Sequence, residues 1–145
     1  MRIYLDNCCF NRPFDDQTQM KIKLESEAKL YIQDAIHNGL FELVWSYILD
    51  YENAMNPFEE RKITISSWKN IANFDCDEND EIILIAENLE GKGIKAKDAL
   101  HLACAIYTRC KYFLTTDIKL LKRNLDSINI VNPVEFVRRW EDDEL

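Results

Sequence analysis

Four acidic side chains stand close to the ends of expected strands or the starts of expected helices. Asp6 closes the short run Arg2-Ile3-Tyr4-Leu5, and Asp117 comes just after Tyr112-Phe113-Leu114-Thr115. Glu52 lies six residues beyond Ser46, which follows the compact run Phe41–Trp45, and Asp98 opens a helical pattern over Lys97–Cys110. Carboxylates in such places are not needed for packing. Gathered in a low-dielectric pocket they would repel one another strongly unless a cation neutralised them. An all-oxygen donor set without His or Cys suits Mg2+ or Mn2+. Metal ions held by carboxylates activate water and clamp a phosphate, the two requirements of phosphodiester hydrolysis. No side-chain nucleophile is then necessary, and the chain carries no G-x-S-x-G elbow and no Gly-rich phosphate loop. Taken singly, each Asp reads as a cap or turn residue. The set is what points to a site.

The elements that would position these acids are legible in outline. Strands are expected at Arg2–Leu5, Phe41–Trp45, Tyr112–Thr115 and Ile128–Val131. Helical spacing runs from about Thr18 to Asn38 through Met20, Leu24, Ala28, Tyr31 and Ala35, with Gly39 as its stop. Further helices are expected over Ser46–Asn56, Pro57–Ala72, Asn79–Glu90, Lys97–Cys110 and Ile118–Asn124, and from Pro133 onward. Asn7–Asp16, with Pro13, reads as a loop. Strands alternating with helices imply a mainly parallel sheet covered on both faces, a three-layer α/β/α fold. Ligands bind beyond the carboxyl ends of such strands, so the topology can bring all four acids to one rim.

Length and composition fit one globular domain over residues 1–145, with 47% hydrophobic and 30% charged residues. The longest unbroken apolar stretch, Ile82–Ala86, is far too short for a bilayer, and the start lacks an apolar signal core; a soluble, cytoplasmic protein without a membrane role is expected. The net charge of −8, from 26 acidic and 18 basic residues, argues against simple non-specific nucleic-acid binding and suits a cationic partner chain. Five cysteines without a C-x-x-C read as reduced thiols. Asp75–Asn79 begins like a calcium loop, but Asp80 and Ala86 stand where that loop needs Gly and Glu, so it is rejected. His101, one turn after Asp98, reads as a packing histidine bonded locally.

Leu5-Asp6, Ser46 with Glu52, Asp98-Ala99-Leu100-His101-Leu102-Ala103 and Leu114-Thr115-Thr116-Asp117 resemble, in this order, the successive motifs of PIN-domain ribonucleases. This is the fold of VapC-like toxins of type II toxin–antitoxin pairs, and Leu5–Asp16 resembles the opening of one subgroup. The resemblance implies that Asp6, Glu52, Asp98 and Asp117 are the catalytic, metal-binding acids of a Mg2+- or Mn2+-dependent endoribonuclease. Thr115 would support the site, with Asn7, Ser46 and Thr116 around it; Cys8 stands where the family often has a small polar residue. It further implies an RNA substrate, attack by water in line with the leaving 3′ oxygen, a small antitoxin from a neighbouring gene, and a homodimer. Among the basic residues, Arg12 and Lys119, with Lys122 and Arg123, are candidates for guiding RNA phosphates. A metal-dependent phosphohydrolase or phosphate receiver fits less well, because Asn7 and Cys8 stand where a second acid would be needed. A non-catalytic PIN-fold binding module is disfavoured by the presence of all four acids.

Overall fold

Ile3, Tyr4 and Leu5 are almost completely buried, as expected of a strand covered on both faces of a parallel sheet. In the computed structural model, which describes residues 1–145, they form the central strand β1 (Arg2–Leu5). The others are β2 (Glu42–Ser46), β3 (Phe74–Cys76), β4 (Tyr112–Leu114) and β5 (Asn129–Val131). All pairings are parallel, in the order β3-β2-β1-β4-β5. The α/β expectation is met. Sheet order runs outward in both directions from β1, so the switch point lies between β1 and β4; open parallel sheets bind their ligands beyond the carboxyl ends of the strands at such a point.

Ten helical segments connect and flank the strands. They are α1 (Asn7–Asn11), a single 3-10 turn (Arg12–Phe14), α2 (Met20–His37), α3 (Tyr47–Ala54), α4 (Glu59–Ser66), α5 (Trp68–Ile71), α6 (Asp80–Gly91), α7 (Ala96–Tyr107), α8 (Ile118–Leu121) and α9 (Pro133–Glu141). Side chains alternate across the sheet. Tyr4 and Phe113 stack at 5.3 Å on the face that meets His101 of α7, whereas Tyr112 and Phe41 meet Phe136 of α9 on the other. Helices therefore cover both faces. No helix is long and apolar enough to cross a membrane, and all five cysteines are free thiols.

Three local expectations are corrected. Asn7–Asp16 is not an open loop, because the Asp6 carboxylate accepts the Asn7 N–H and caps α1. The helix expected over Pro57–Ala72 starts at Glu59 and is divided at Ser67 into α4 and α5. The edge strand β3 is not signalled by the sequence: it has three residues, one of them the exposed Asp75, too few for alternation to show.

Candidate active site

Register delivers Asp6 and Thr115 to the same place. Leu5 pairs with Leu114, and the Asp6 N–H donates to the Leu114 carbonyl at 2.9 Å, carrying the ladder one residue past β1. The Asp6 carboxylate emerges at the sheet's carboxyl edge and is 7% exposed. Its Oδ1 accepts the Asn7 N–H at 2.8 Å, and its Oδ2 accepts the Thr115 hydroxyl at 2.8 Å. The same hydroxyl accepts the Asp117 N–H at 3.1 Å, and Asp117 in turn caps α8 by accepting the Lys119 N–H at 2.8 Å. One hydroxyl thus ties both acids together. Cys8 Sγ lies 3.5 Å from Asp6 Oδ2 and from Thr115 Oγ1, and accepts the Thr116 N–H at 3.3 Å. Thr116 therefore joins this network through its backbone.

Glu52 comes to the rim on α3, whose first turn is capped by Ser46 Oγ accepting the Leu49 N–H at 3.3 Å. Asn7 Nδ2 donates to Glu52 Oε2 at 3.4 Å, and His101 Nε2 bonds Glu52 Oε1. His101 is not bonded locally, contrary to the sequence reading. It is buried at 1% exposure, with Nδ1 2.6 Å from the Tyr4 hydroxyl, which is 2.6 Å from Ser46 Oγ. One assignment satisfies every atom: Ser46 O–H donates to Tyr4, Tyr4 O–H to His101 Nδ1, and His101 Nε2–H to Glu52. Burial holds the Tyr4 pKa well above its usual value, so this phenol stays a donor. Ligand atoms of Asp6, Glu52 and His101 lie within 4.8 Å of one another. Both imidazole nitrogens are engaged, which makes His101 an orienting partner for Glu52 and leaves oxygen as the donor set.

Asp98 sits in the first turn of α7 but does not cap it; Lys95 holds the N-cap position and makes no side-chain capping bond. Burial pushes the Asp98 carboxyl pKa up, and the negative charges of Asp6, Asp117 and, more weakly, Glu52 push it further, with His101 opposing. Asp98 shares a concavity with Asp117, which the Thr115 hydroxyl joins to Asp6. A carboxyl group driven toward protonation by burial and like charges is what a divalent cation relieves. The oxygen donors fit Mg2+ or Mn2+.

Two concavities flank these acids. One, of about 250 Å3, is lined by Asp98, Asp117, Lys95, Lys119 and Arg123. It brings Lys119 to the site as expected and adds Lys95, which sequence reading missed although it lies three residues before Asp98. The other, of about 240 Å3, is lined by Glu52, Asn7, Asn11, Asn56, Phe58 and Arg61. Arg12 is not brought to the acids. Its guanidinium donates to Glu25 at 3.0 Å and to Asp15 at 3.1 Å, because the Glu25 carboxylate, 2% exposed, requires a charged partner. A third cavity, of about 260 Å3 around Lys29 and Trp68, contains none of the four acids.

The PIN domain family model matches residues 3–124. A search of curated proteins returns no match. Eight chains of solved structures are similar. Among them is a chain of the VapBC2 complex from Rickettsia felis bound to a DNA fragment from its promoter. The likeness has a TM-score of 0.56 at 15% sequence identity, over 91% of this chain and 98% of that one.

Proposed function

The chain belongs to the PIN domain family, and on that premise we propose that it is a metal-dependent endoribonuclease, the VapC-like toxin of a toxin–antitoxin pair. The observation that carries this reading is geometric: Asp6 and Glu52 converge with His101 within 4.8 Å, the Thr115 hydroxyl joins Asp6 to Asp117, and Asp117 shares a concavity with Asp98. Asp6, Glu52, Asp98 and Asp117 would hold Mg2+ or Mn2+. The bound metal supplies an activated water and charge neutralisation at the phosphate.

The chain's own residues do the rest. Thr115 restrains Asp6 and the Asp117 backbone through one hydroxyl, so the two acids keep a fixed spacing. His101, held by Tyr4 and Ser46, fixes the rotamer of Glu52, and Asn7 grips its second oxygen. Lys95 and Lys119 place positive charge beside an otherwise acidic rim, where an RNA phosphate must approach. Water then attacks in line with the leaving 3′ oxygen, and the product carries a 5′-phosphate.

The VapBC2 likeness and the net charge of −8 support a small antitoxin as partner, one that presents a cationic segment to the acidic rim. Residues 1–145 act as one domain, in the cytoplasm, as a homodimer. The test is direct. Purified protein is incubated with RNA in Mg2+ or Mn2+ and, separately, in a chelator. Metal-dependent cleavage to 5′-phosphate ends is expected, with growth arrest on expression and relief when the neighbouring gene is co-expressed. Soluble, folded protein that cleaves no RNA in either metal would overturn the ribonuclease reading.

A further inference from the structure

The two concavities beside the acids are alike in size and opposite in chemistry. On the Asp98–Asp117 side the lining is cationic, with Lys95, Lys119 and Arg123. On the Glu52 side three asparagines and a Phe–Arg pair line it together with Met55 and Pro57. A phosphate suits the first. The second offers hydrogen-bonding amides beside an aromatic ring, the groups that recognise a nucleobase.

The asparagines form a head-to-tail ladder. The Phe58 N–H donates to Asn56 Oδ1 at 3.1 Å, and Asn56 Nδ2 donates to Asn11 Oδ1 at 3.2 Å. Asn11 Nδ2 donates to Asn7 Oδ1 at 3.4 Å, and Asn7 Nδ2 to Glu52 Oε2 at 3.4 Å. The ladder therefore runs from the aromatic residue to a catalytic-site acid. Asn7 and Asn56 each use one N–H along it and retain a second, whereas Asn11 also donates to the Asn7 backbone carbonyl at 3.1 Å and offers an edge only through its carbonyl; each side-chain carbonyl keeps a second lone pair. Phe58 is 54% exposed although the Arg61 guanidinium lies 4.4 Å from its ring centroid. Arg61 is itself held by Asp15 at 3.1 Å and by the Phe14 carbonyl at 2.7 Å, so the ring rests on a fixed support. An exposed aromatic ring with a locked backing is a stacking platform, not core.

We propose that the concavity beside Glu52 receives one unpaired base of single-stranded RNA, stacked on Phe58 and read at its edge by Asn7, Asn11 and Asn56. The cleaved phosphate then lies over the acids, and the next phosphate meets Lys95 and Lys119. A base can reach this shelf only when it is out of a helical stack, which selects single-stranded RNA or a loop. This rests on the ribonuclease reading and adds to it a base preference next to the cleaved bond.

The experiment uses the full chain with Mn2+ and a pool of single-stranded RNA randomised on both sides of the cleaved bond. Wild-type protein should show a base bias at one position adjacent to that bond. Phe58→Ala should flatten the bias and raise KM about tenfold, the usual order for losing one aromatic stacking partner. Phe58→Trp should restore both. Lys119→Ala should lower cleavage evenly across sequences and reduce the salt dependence without changing the bias. Phe58→Ala with unchanged bias and KM would overturn the proposal, and if that variant instead escaped inhibition by a partner protein, the shelf would belong to protein docking. Should the wild type cleave nothing, the ribonuclease reading fails by itself. Binding of a fluorescein-labelled decaribonucleotide then decides the subsite: weaker binding by Phe58→Ala supports it, and equal binding refutes it.

Discussion

The Tyr4 hydroxyl meets His101 Nδ1 at 2.6 Å, joining the middle of the central strand to the helix that carries Asp98. Tyr4 is fully buried and also accepts from Ser46, so its hydroxyl is the hinge of a relay ending on Glu52. Tyr4→Phe keeps the ring and its stack on Phe113 but leaves the buried Ser46 hydroxyl proton without its acceptor and His101 Nδ1 without its donor. The expected cost is about 1–3 kcal/mol of stability, read by denaturant unfolding, together with reduced RNA cleavage because Glu52 loses its orientation. Wild-type stability and activity in this variant would remove the relay from the mechanism.

Asp98→Asn separates a structural from a catalytic role. The side chain keeps its size, and no capping bond is lost because Asp98 makes none. The carboxyl pKa is raised in the folded chain, so at neutral pH its charge is a net cost in the metal-free protein. The variant should melt at the same temperature or higher without metal, gain less from added Mn2+, and cleave RNA more than about tenfold more slowly. Chelator-sensitive cleavage at the wild-type rate would falsify a role for Asp98.

Thr115 is fully buried and serves both Asp6 and Asp117. Thr115→Val preserves shape and removes the hydroxyl. Metal affinity or cleavage is expected to fall by about 10–100-fold, the usual effect of losing a group that orients a metal ligand. Thr115→Ser should recover most of the loss. If serine is no better than valine, the threonine matters for packing alone.

Lys29 sets a pH dependence remote from the acids. The residue is 4% exposed, and its ammonium donates to Gln33 Oε1 at 2.7 Å and lies 5.0 Å from the Trp68 ring centroid. Burial lowers its pKa to about 8. In the unfolded chain a lysine titrates near about 10.4. Below pH 8 both states are protonated, and the folded protein carries the full cost of the buried charge. Between these two values the unfolded state binds more protons, so this contribution to stability improves as pH rises. Lys29→Met should be more stable than wild type at pH 7 by on the order of 2 kcal/mol, once the lost bond to Gln33 is set against the relief. That advantage should shrink toward zero near pH 10. Thermal unfolding of both proteins across this range provides the check, and a gap that does not change with pH would refute the assignment.

Much of this organisation is local and therefore readable. Apolar runs bounded by polar residues marked four strands of the sheet, and they were read within a residue or so of their limits because burial on both faces demands continuous apolar sequence. Asp6 and Asp117 stand out because a charge at the end of such a run has no packing reason to be there, whereas Glu52 and Asp98, on helices, are legible only as members of the set. Lys119, one of four basic residues the sequence offers as phosphate guides, lines a concavity with Asp98 and Asp117 because it follows Asp117 by two residues.

What the tertiary structure decided was everything that depends on which distant segments become neighbours. His101 looked like a packing residue because its partners, Tyr4 and Glu52, lie 97 and 49 residues away, and only the approach of α7 to β1 and α3 joins them. Arg12 looked free until α2 presented the buried Glu25, whose charge claims it. The asparagine ladder is assembled from α1 and the segment after α3, two stretches whose sequences carry no sign of each other. β3 exists because β2 offers an unpaired edge, not because Phe74–Cys76 has a strand pattern of its own. Periodicity reports which face of an element is buried, since that is settled by spacing along the chain. The partner that buries it is settled by sheet order and register, and those are properties of the whole fold.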